Sequence, residues 1–335
     1  MTALSDHTLD HLATLAADPE LAPERYEILE LVARGGMGTV YRALDRDLGR
    51  EVALKVLTMP DEDRQATSRM LAEARVLARL EHPGMVPVYE SGLLADGRVF
   101  YAMRLVAGRR LDEVVAEEPP LPERLRIFGR ICETVAFAHA HGVLHRDLKP
   151  ENVMVGPFGE VLVMDWGVAR VRGEEDAAFE ERPGSGHAAS EGGTAHGTVM
   201  GTPGYMAPEQ ARGETARVGE ASDVYALGAL LCFLLTGRPP SPEGSLPVEL
   251  EAAPRPLVAV CRKATGEAPE ERYESVSAMA RDVALWSAGL AVGAYREGLP
   301  ERVLRMLRVY RTPILLVLAY LLMRVGFELW RNLWG

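Results

Sequence analysis

The eight residues His145-Arg146-Asp147-Leu148-Lys149-Pro150-Glu151-Asn152 place a carboxylate, an ammonium and a carboxamide within one short stretch. A carboxylate can accept a proton, an ammonium can offset developing negative charge, and an amide oxygen can ligate a hard cation, so the set suits transfer of a charged group to a hydroxyl. A second carboxylate follows in Asp165-Trp166-Gly167, on a turn after a strand expected over 161–164. Upstream, Ala33-Arg34-Gly35-Gly36-Met37-Gly38-Thr39-Val40 lies between two expected strands, where small residues let backbone amides approach phosphate oxygens. By itself this run also reads as a glycine-rich hairpin turn. Lys55 closes the apolar strand Val52-Ala53-Leu54-Lys55, and a lone strand lysine commonly protects a sheet edge. Glu73, on a helix expected over 61–80, shifts that reading, because a lysine aimed at phosphates needs a carboxylate to hold it.

The elements that must carry these groups are legible from pattern. Short β-rich stretches at 26–32, 39–44 and 52–57, separated by Gly- and Asp-containing turns, predict an antiparallel sheet, extended by strands at 86–93 and 98–104. In the helix at 61–80, Met70, Ala74, Leu77 and Ala78 share one face at spacings of three and four. From about residue 111 the pattern turns helical, with helices expected over 121–141, 223–235, 256–263 and 275–286, so a small β lobe precedes a larger α lobe. Between 172 and 197 six acids stand against two arginines with almost no large apolar side chains, which predicts a disordered insertion. The 335 residues are 47% hydrophobic and 25% charged, an ordinary globular composition, and the net charge of −11 argues against nucleic acid as a partner. Cys132, Cys232 and Cys261 lie far apart in apolar runs without metal or redox spacing, as expected of buried thiols in a reducing cytoplasm. The polar, acidic first twenty residues do not read as a signal peptide.

In their order and spacing, these motifs resemble the eukaryotic-like (Hanks-type) bacterial Ser/Thr protein kinases over about residues 26–286, with Met206-Ala207-Pro208-Glu209 ending the activation segment, Asp223 and Gly228 marking the next helix, and Arg272 a partner for Glu209. The resemblance implies an α+β, bilobal protein-kinase fold, with a small antiparallel β-rich N-lobe carrying one helix and a larger mainly α-helical C-lobe. Its expected parts are an N-terminal extension (1–25), the N-lobe (26–104), the C-lobe (105–290, with the insertion at 172–197), a basic juxtamembrane segment (291–312) and a hydrophobic C-terminal helix (313–335). It also implies ATP with Mg²⁺, or Mn²⁺ in its place, and transfer of the γ-phosphoryl group to Ser/Thr hydroxyls of protein substrates. In family terms Asp147 would accept the hydroxyl proton, Lys149 would offset charge on the transferred group, Lys55 would hold the α- and β-phosphates, and Glu73 would orient Lys55. Asn152 and Asp165 would ligate the metal. Ala33, Gly35, Gly36 and Gly38 would surround the phosphates, with Val40, Ala53, Met103, Leu105 and Met154 around the base. Lys149 and the run Gly201-Thr202-Pro203-Gly204-Tyr205 resemble the Ser/Thr rather than the tyrosine branch. Arg146 beside Asp147 implies control by phosphorylation, with Thr198 as the first candidate and Thr194 the second. A pseudokinase scaffold would have no need for this charge set, and a small-molecule kinase would lack the segment 201–209.

Several positions depart from the family pattern. Ala33 stands at the first glycine of the phosphate loop, Trp166 replaces the usual Phe after Asp165, Arg104 follows Met103 where an acid is common, and only fifteen residues separate Pro240 from Pro256. At the C-terminal end, Arg302, Arg305 and Arg308 fall along one side of an amphipathic stretch, followed by an apolar run at 313–323 with Tyr310, Trp330 and Trp334 near its ends. That pattern leads us to expect attachment of a cytoplasmic kinase domain to the inner membrane surface, with docking onto the kinase lobe or a homodimer contact as the alternatives.

Overall fold

The computed structural model describes residues 25–35, 38–57, 74, 78, 80–94, 98–166, 170–171, 204–241 and 244–334. Five strands form the first sheet: β1 (Tyr26–Gly35), β2 (Gly38–Asp45), β3 (Arg50–Val56), β4 (Val88–Leu93) and β5 (Val99–Arg104). Their order is β1-β2-β3-β5-β4, antiparallel throughout. Alternation along β2 and β3 turns Tyr41, Ala43, Val52, Leu54 and Val56 to one face, where Tyr26, Leu94 and Ala102 complete a core. β1 carries an extra residue opposite β2 at two places, between Ile28 and Glu30 and between Leu31 and Ala33, and each bulge adds twist to the edge strand. Of the helix expected over 61–80, Ala74 and Ala78 are helical and Leu80 is a buried residue beyond it; the remainder, Glu73 included, lies outside the described residues, as does the insertion at 172–197.

The second lobe is mainly helical. After the short β6 (Arg109–Arg110) come α1 (Leu111–Ala116) and α2 (Leu121–Ala140). Leu125, Phe128, Ile131, Cys132 and Val135 recur at three- and four-residue spacing along α2 and are buried, and Pro122 in its first turn costs nothing because that N–H has no intrahelical partner. Short strands follow, namely β7 (Val143–Leu144), β8 (Val153–Val155), β9 (Val161–Val163) and β10 (Arg170–Val171). Beyond them lie α3 (Pro208–Ala211), α4 (Glu220–Thr236), α5 (Arg255–Ala264) and α6 (Val276–Ser287). Every residue of α4 from Ser222 to Leu234 is buried, as expected of a helix apolar on all sides. Gly228 on α4 lets α5 come close, since a Cβ there would lie 2.6 Å from that of Ala264. Burial pushes the thiols of Cys132, Cys232 and Cys261 up, Cys232 to about 12, so the three cysteines are inert core residues. Between Pro240 and Pro256 the described chain makes only one turn of 3₁₀ helix, Val248–Ala252, consistent with the shortness of that stretch.

One buried ion pair ties these pieces together. The Arg272 guanidinium meets both oxygens of Glu209 at 2.8 Å, with neither side chain exposed, and also donates to the carbonyls of Ala221, Gly266 and Glu267. Ser222 Oγ donates to Glu209 Oε1 at 2.7 Å. Burial alone would raise the Glu209 carboxyl, but the hydrogen bonds from Arg272 and Ser222 outweigh it and hold the group below its ordinary value. Removing one partner strands the other charge in the interior. Arg272→Met is therefore expected to lower unfolding stability by about 3–5 kcal/mol in urea titrations, more than Arg272→Met combined with Glu209→Gln. Equal losses in the single and double variants would contradict this account.

Candidate active site

The catalytic stretch is fixed from below by packing. Leu148 enters the large helical core and Pro150 starts a buried 3₁₀ turn, Pro150–Asn152, which leads directly into β8. Asp147 and Lys149 flank the first of these anchors, and Asn152 ends the second. Lys149 Nζ lies 2.8 Å from Asp147 Oδ2, and Asn152 Nδ2 donates to the same oxygen at 3.1 Å and to the Asp147 carbonyl at 2.8 Å. Both side-chain contacts fall on Oδ2 and, among the described residues, none is seen on Oδ1.

The backbone before Asp147 is held in an unusual shape. Arg146 has φ +70°, a left-handed conformation rare for a side-chain-bearing residue and sustained only where neighbours enforce it. The enforcing group is Asp223, at the start of α4, whose Oδ1 accepts the Arg146 N–H at 2.8 Å and whose Oδ2 accepts the His145 N–H at 2.9 Å. His139, from the last turn of α2, places Nε2 2.7 Å from the same Oδ2. Asp223 is 1% exposed; burial pushes its carboxyl up, yet the hydrogen bond and positive field of His139, aided by His145 and the Arg146 amide, bring it below its ordinary value. The His145 ring extends the network, since Nδ1 accepts the Asp147 N–H at 3.3 Å and Nε2 must then carry the proton it gives to the Met164 carbonyl at 3.0 Å. The Met164 N–H in turn donates to the Asn152 carbonyl at 2.7 Å, so the strand leading to Asp165 is clamped to the catalytic stretch.

Asp165 also has positive φ, +57°, and its carboxylate reaches Lys55 Nζ at 3.5 Å. Lys55 is no edge residue: β3 lies between β2 and β5, with Lys55 opposite Val40 and Tyr101, and its side chain is only 13% exposed. Edge protection therefore does not explain it. Trp166 is almost completely buried against the His145 ring, centroids 4.6 Å apart, and its indole N–H donates to the Val163 carbonyl, so the substitution for Phe is fully accommodated.

The residues expected around the base converge. Val40, Ala53, Met103, Leu105 and Met154 fall in a single apolar cluster that sequence reading did not extend to Leu162 and Met164 from the second lobe. Val40, Leu105 and Met154 are only partly buried, so the cluster keeps an open face. Ala33 pairs with Val40 and Gly35 with Gly38 across the hairpin, whose tip, Gly36 included, lies outside the described residues. Gly38 has a reason unrelated to phosphate, for a Cβ there would lie 2.5 Å from the Val56 carbonyl oxygen. Thr194, Thr198 and 201–203 lie outside the described residues, while Tyr205 is buried.

The donor set suits magnesium. Among the described residues no cluster of three or more His, Cys, Asp or Glu groups could hold a metal by itself. Asn152 spends its N–H groups on Asp147, which turns its carbonyl oxygen away, and Asp165 is half exposed. One amide oxygen and one carboxylate are hard donors of the kind that would suit a divalent cation whose remaining positions are filled by phosphates and water.

Comparison with known proteins agrees with this geometry. A family model for the protein kinase domain matches residues 26–289. The chain is 34% identical to the serine/threonine-protein kinase PknD of Chlamydia caviae, over 92% of this chain and 36% of that protein, and 36% identical to PknD of Chlamydia muridarum, over 76% and 30%. It thus spans about a third of the length of these curated relatives. Among solved structures, the PknI kinase domain of Mycobacterium tuberculosis superposes with a TM-score of 0.59 at 26% identity, covering 80% of this chain and 98% of that one.

Because its folded-state carboxyl lies below the unfolded value of 3.8, Asp223 contributes stability that is fully present above about pH 4 and lost as pH falls through the depressed value. Asp223→Asn, which loses a charged acceptor and turns an NH₂ toward backbone donors, is expected to cost about 2–4 kcal/mol at pH 7. The gap from wild type should narrow below pH 4 in urea titrations run from pH 7 to pH 2.5. A gap unchanged across that range would refute the assignment.

Proposed function

The chain belongs to the protein kinase family, and on that premise we propose that it is an ATP-dependent Ser/Thr protein kinase whose reaction centre is the Asp147–Lys149–Asn152–Asp165 group. The observation that carries this reading is the division of labour on Asp147, with Lys149 and Asn152 both on Oδ2. Oδ1 is left to take the proton as the substrate hydroxyl oxygen bonds to the γ-phosphorus, while the bond from that phosphorus to the β-bridging oxygen breaks and ADP departs. Lys149, adjacent to the transfer path, offsets charge on the moving group. Lys55 is held between β2 and β5 to meet the α- and β-phosphates, with Glu73 as its orienting carboxylate. Mg²⁺, or Mn²⁺, carried by Asn152 and Asp165 would supply neutralisation of phosphate charge. The open apolar cluster of Val40, Ala53, Met103, Leu105 and Met154 receives the base, with the segment Ala33 to Gly38 over the phosphates. Thr198, and after it Thr194, is the proposed autophosphorylation position, its phosphate ordered by Arg146.

Turnover of γ-labelled ATP tests this. The wild type is expected to transfer label to itself and to added protein, with phosphothreonine mapping to 198 or 194, and Asp147→Ala to lose at least about a hundredfold in kcat. Equal labelling in the two proteins would sink the mechanism.

We further propose that the C-terminal helices attach the kinase to a lipid surface. α7 (Leu299–Val309) starts at a tether in which Glu301 accepts hydrogen bonds from Tyr295 and Gly298, and Arg305 pairs with Glu297 at 2.8 Å, which takes that arginine out of the basic face the sequence suggested. α8 (Arg311–Trp334) runs on from it for about 36 Å. Leu315, Leu316, Val317 and Leu318 are consecutive and each at least half exposed, so the apolar surface surrounds α8 rather than forming a stripe. Among the described residues no helix is long and apolar enough to cross a membrane, so the reading is of insertion that stops short of a span, with Trp330 and Trp334 at headgroup depth and the lobes on the cytoplasmic side, where ATP is found. The 335-residue chain should co-sediment with vesicles containing anionic lipid, and protein ending at residue 298 should not. Loss of the difference, or a lipid-independent homodimer formed only by the full chain, would overturn it.

A further inference from the structure

Gln210, in the single turn of α3, lies outside every role considered so far. Its side chain bridges two backbones. Oε1 accepts the Ala207 N–H at 3.3 Å, and Nε2 donates to the Arg146 carbonyl at 3.0 Å. The orientation of the amide follows from the chemistry, because a backbone N–H can only donate and a carbonyl can only accept.

The carbonyl it holds belongs to the peptide unit that carries Asp147. The other end of that unit, the Asp147 N–H, is held by His145 Nδ1, and the preceding N–H of Arg146 is held by Asp223. Arg146 is left-handed, so the cheapest relaxation open to this backbone is rotation of the Arg146–Asp147 peptide plane. His145 and Asp223 restrain the N–H groups, and Gln210 restrains the carbonyl. Rotation of that plane swings the Asp147 carboxylate, and displacement of a reacting group by about 1 Å can cost on the order of a hundredfold in rate.

We infer that Gln210 is a positioning residue for Asp147, coupling the seat of the Met206–Glu209 segment to the orientation of the carboxylate through the Arg146 carbonyl. The inference rests on the reading of Asp147 as proton acceptor. The Gln210 side chain spends its hydrogen bonds on the backbones of Ala207 and Arg146, so its loss should lower kcat and leave KM for ATP unchanged.

The test compares wild type, Gln210→Glu, Gln210→Met and Asp147→Ala. At pH 8 Gln210→Glu presents a carboxylate to the Arg146 carbonyl and is expected to lose at least about tenfold in kcat, with KM for ATP within about twofold of wild type. As pH falls from 8 toward 4.5, close to the ordinary glutamate value of about 4.3, a growing fraction of the side chain takes up a proton and regains an O–H donor, so its rate relative to wild type at the same pH should climb. Gln210→Met, of similar volume without a donor, should be slow at every pH. The pH ratio is read within one folded protein, so it decides the matter even if Gln210→Met fails to fold. A Gln210→Glu ratio flat with pH, both variants at wild-type rate, or KM rising in step with falling kcat would overturn the inference. Turnover retained by Asp147→Ala would instead overturn the reading on which it rests.

Discussion

A single carboxylate determines how this site is built. Asp223 accepts three hydrogen bonds, two from consecutive backbone amides and one from the ring of His139, and in doing so holds Arg146 where an L-residue seldom rests. Three elements meet at that point: α2 through His139, α4 through Asp223 itself, and the catalytic stretch. A charge so deeply buried is stable only because each oxygen is satisfied, and the arrangement is correspondingly intolerant of small displacements. The position of Asp147 is inherited from this junction rather than set by Asp147's own contacts.

The second lobe thus supplies a rigid frame, and the first brings one cation to it. Lys55 reaches Asp165 from the middle of a sheet whose own core is separate from that of the helical lobe. The apolar cluster that joins the two lobes takes side chains from β2, β3 and β5 on one side and from β8 and β9 on the other. A planar ligand entering there would complete the packing of both lobes at once. Binding and the relative placement of Lys55 and Asp165 are therefore mechanically linked.

Much of this was legible in the sequence because the catalytic stretch is local: Asp147, Lys149 and Asn152 lie within one turn of chain, and their contacts follow from proximity. The Arg272–Glu209 pair, though 63 residues apart, was also anticipated from the resemblance. His139 and Gln210 were not, since each acts on a backbone group far away in sequence, and neither a histidine at a helix end nor a glutamine in a short helix carries a local signature. Gly38 was read as lying beside the phosphates, and the structure adds a packing reason for a glycine there, the carbonyl of Val56 on the neighbouring strand. For Lys55 an edge role follows from one strand alone; Glu73 already turned the sequence reading away from it, and strand order, which places β3 inside, leaves no edge for it to protect. The apolar character of α8 was evident, but that the large apolar side chains described along it are exposed depends on three-dimensional packing.

Trp166 is the largest kind of side chain, fully enclosed, and fastened by its own N–H to the carbonyl of Val163. An inhibitor chemotype that works by prising this residue from its niche would have to break that bond and empty a cavity larger than phenylalanine leaves, with the His145 ring losing its neighbour. Compounds selected against this protein should accordingly favour those that accept the seated arrangement and compete for the open apolar face. The tryptophan is in this sense a filter on pharmacology, imposed by its size together with one hydrogen bond.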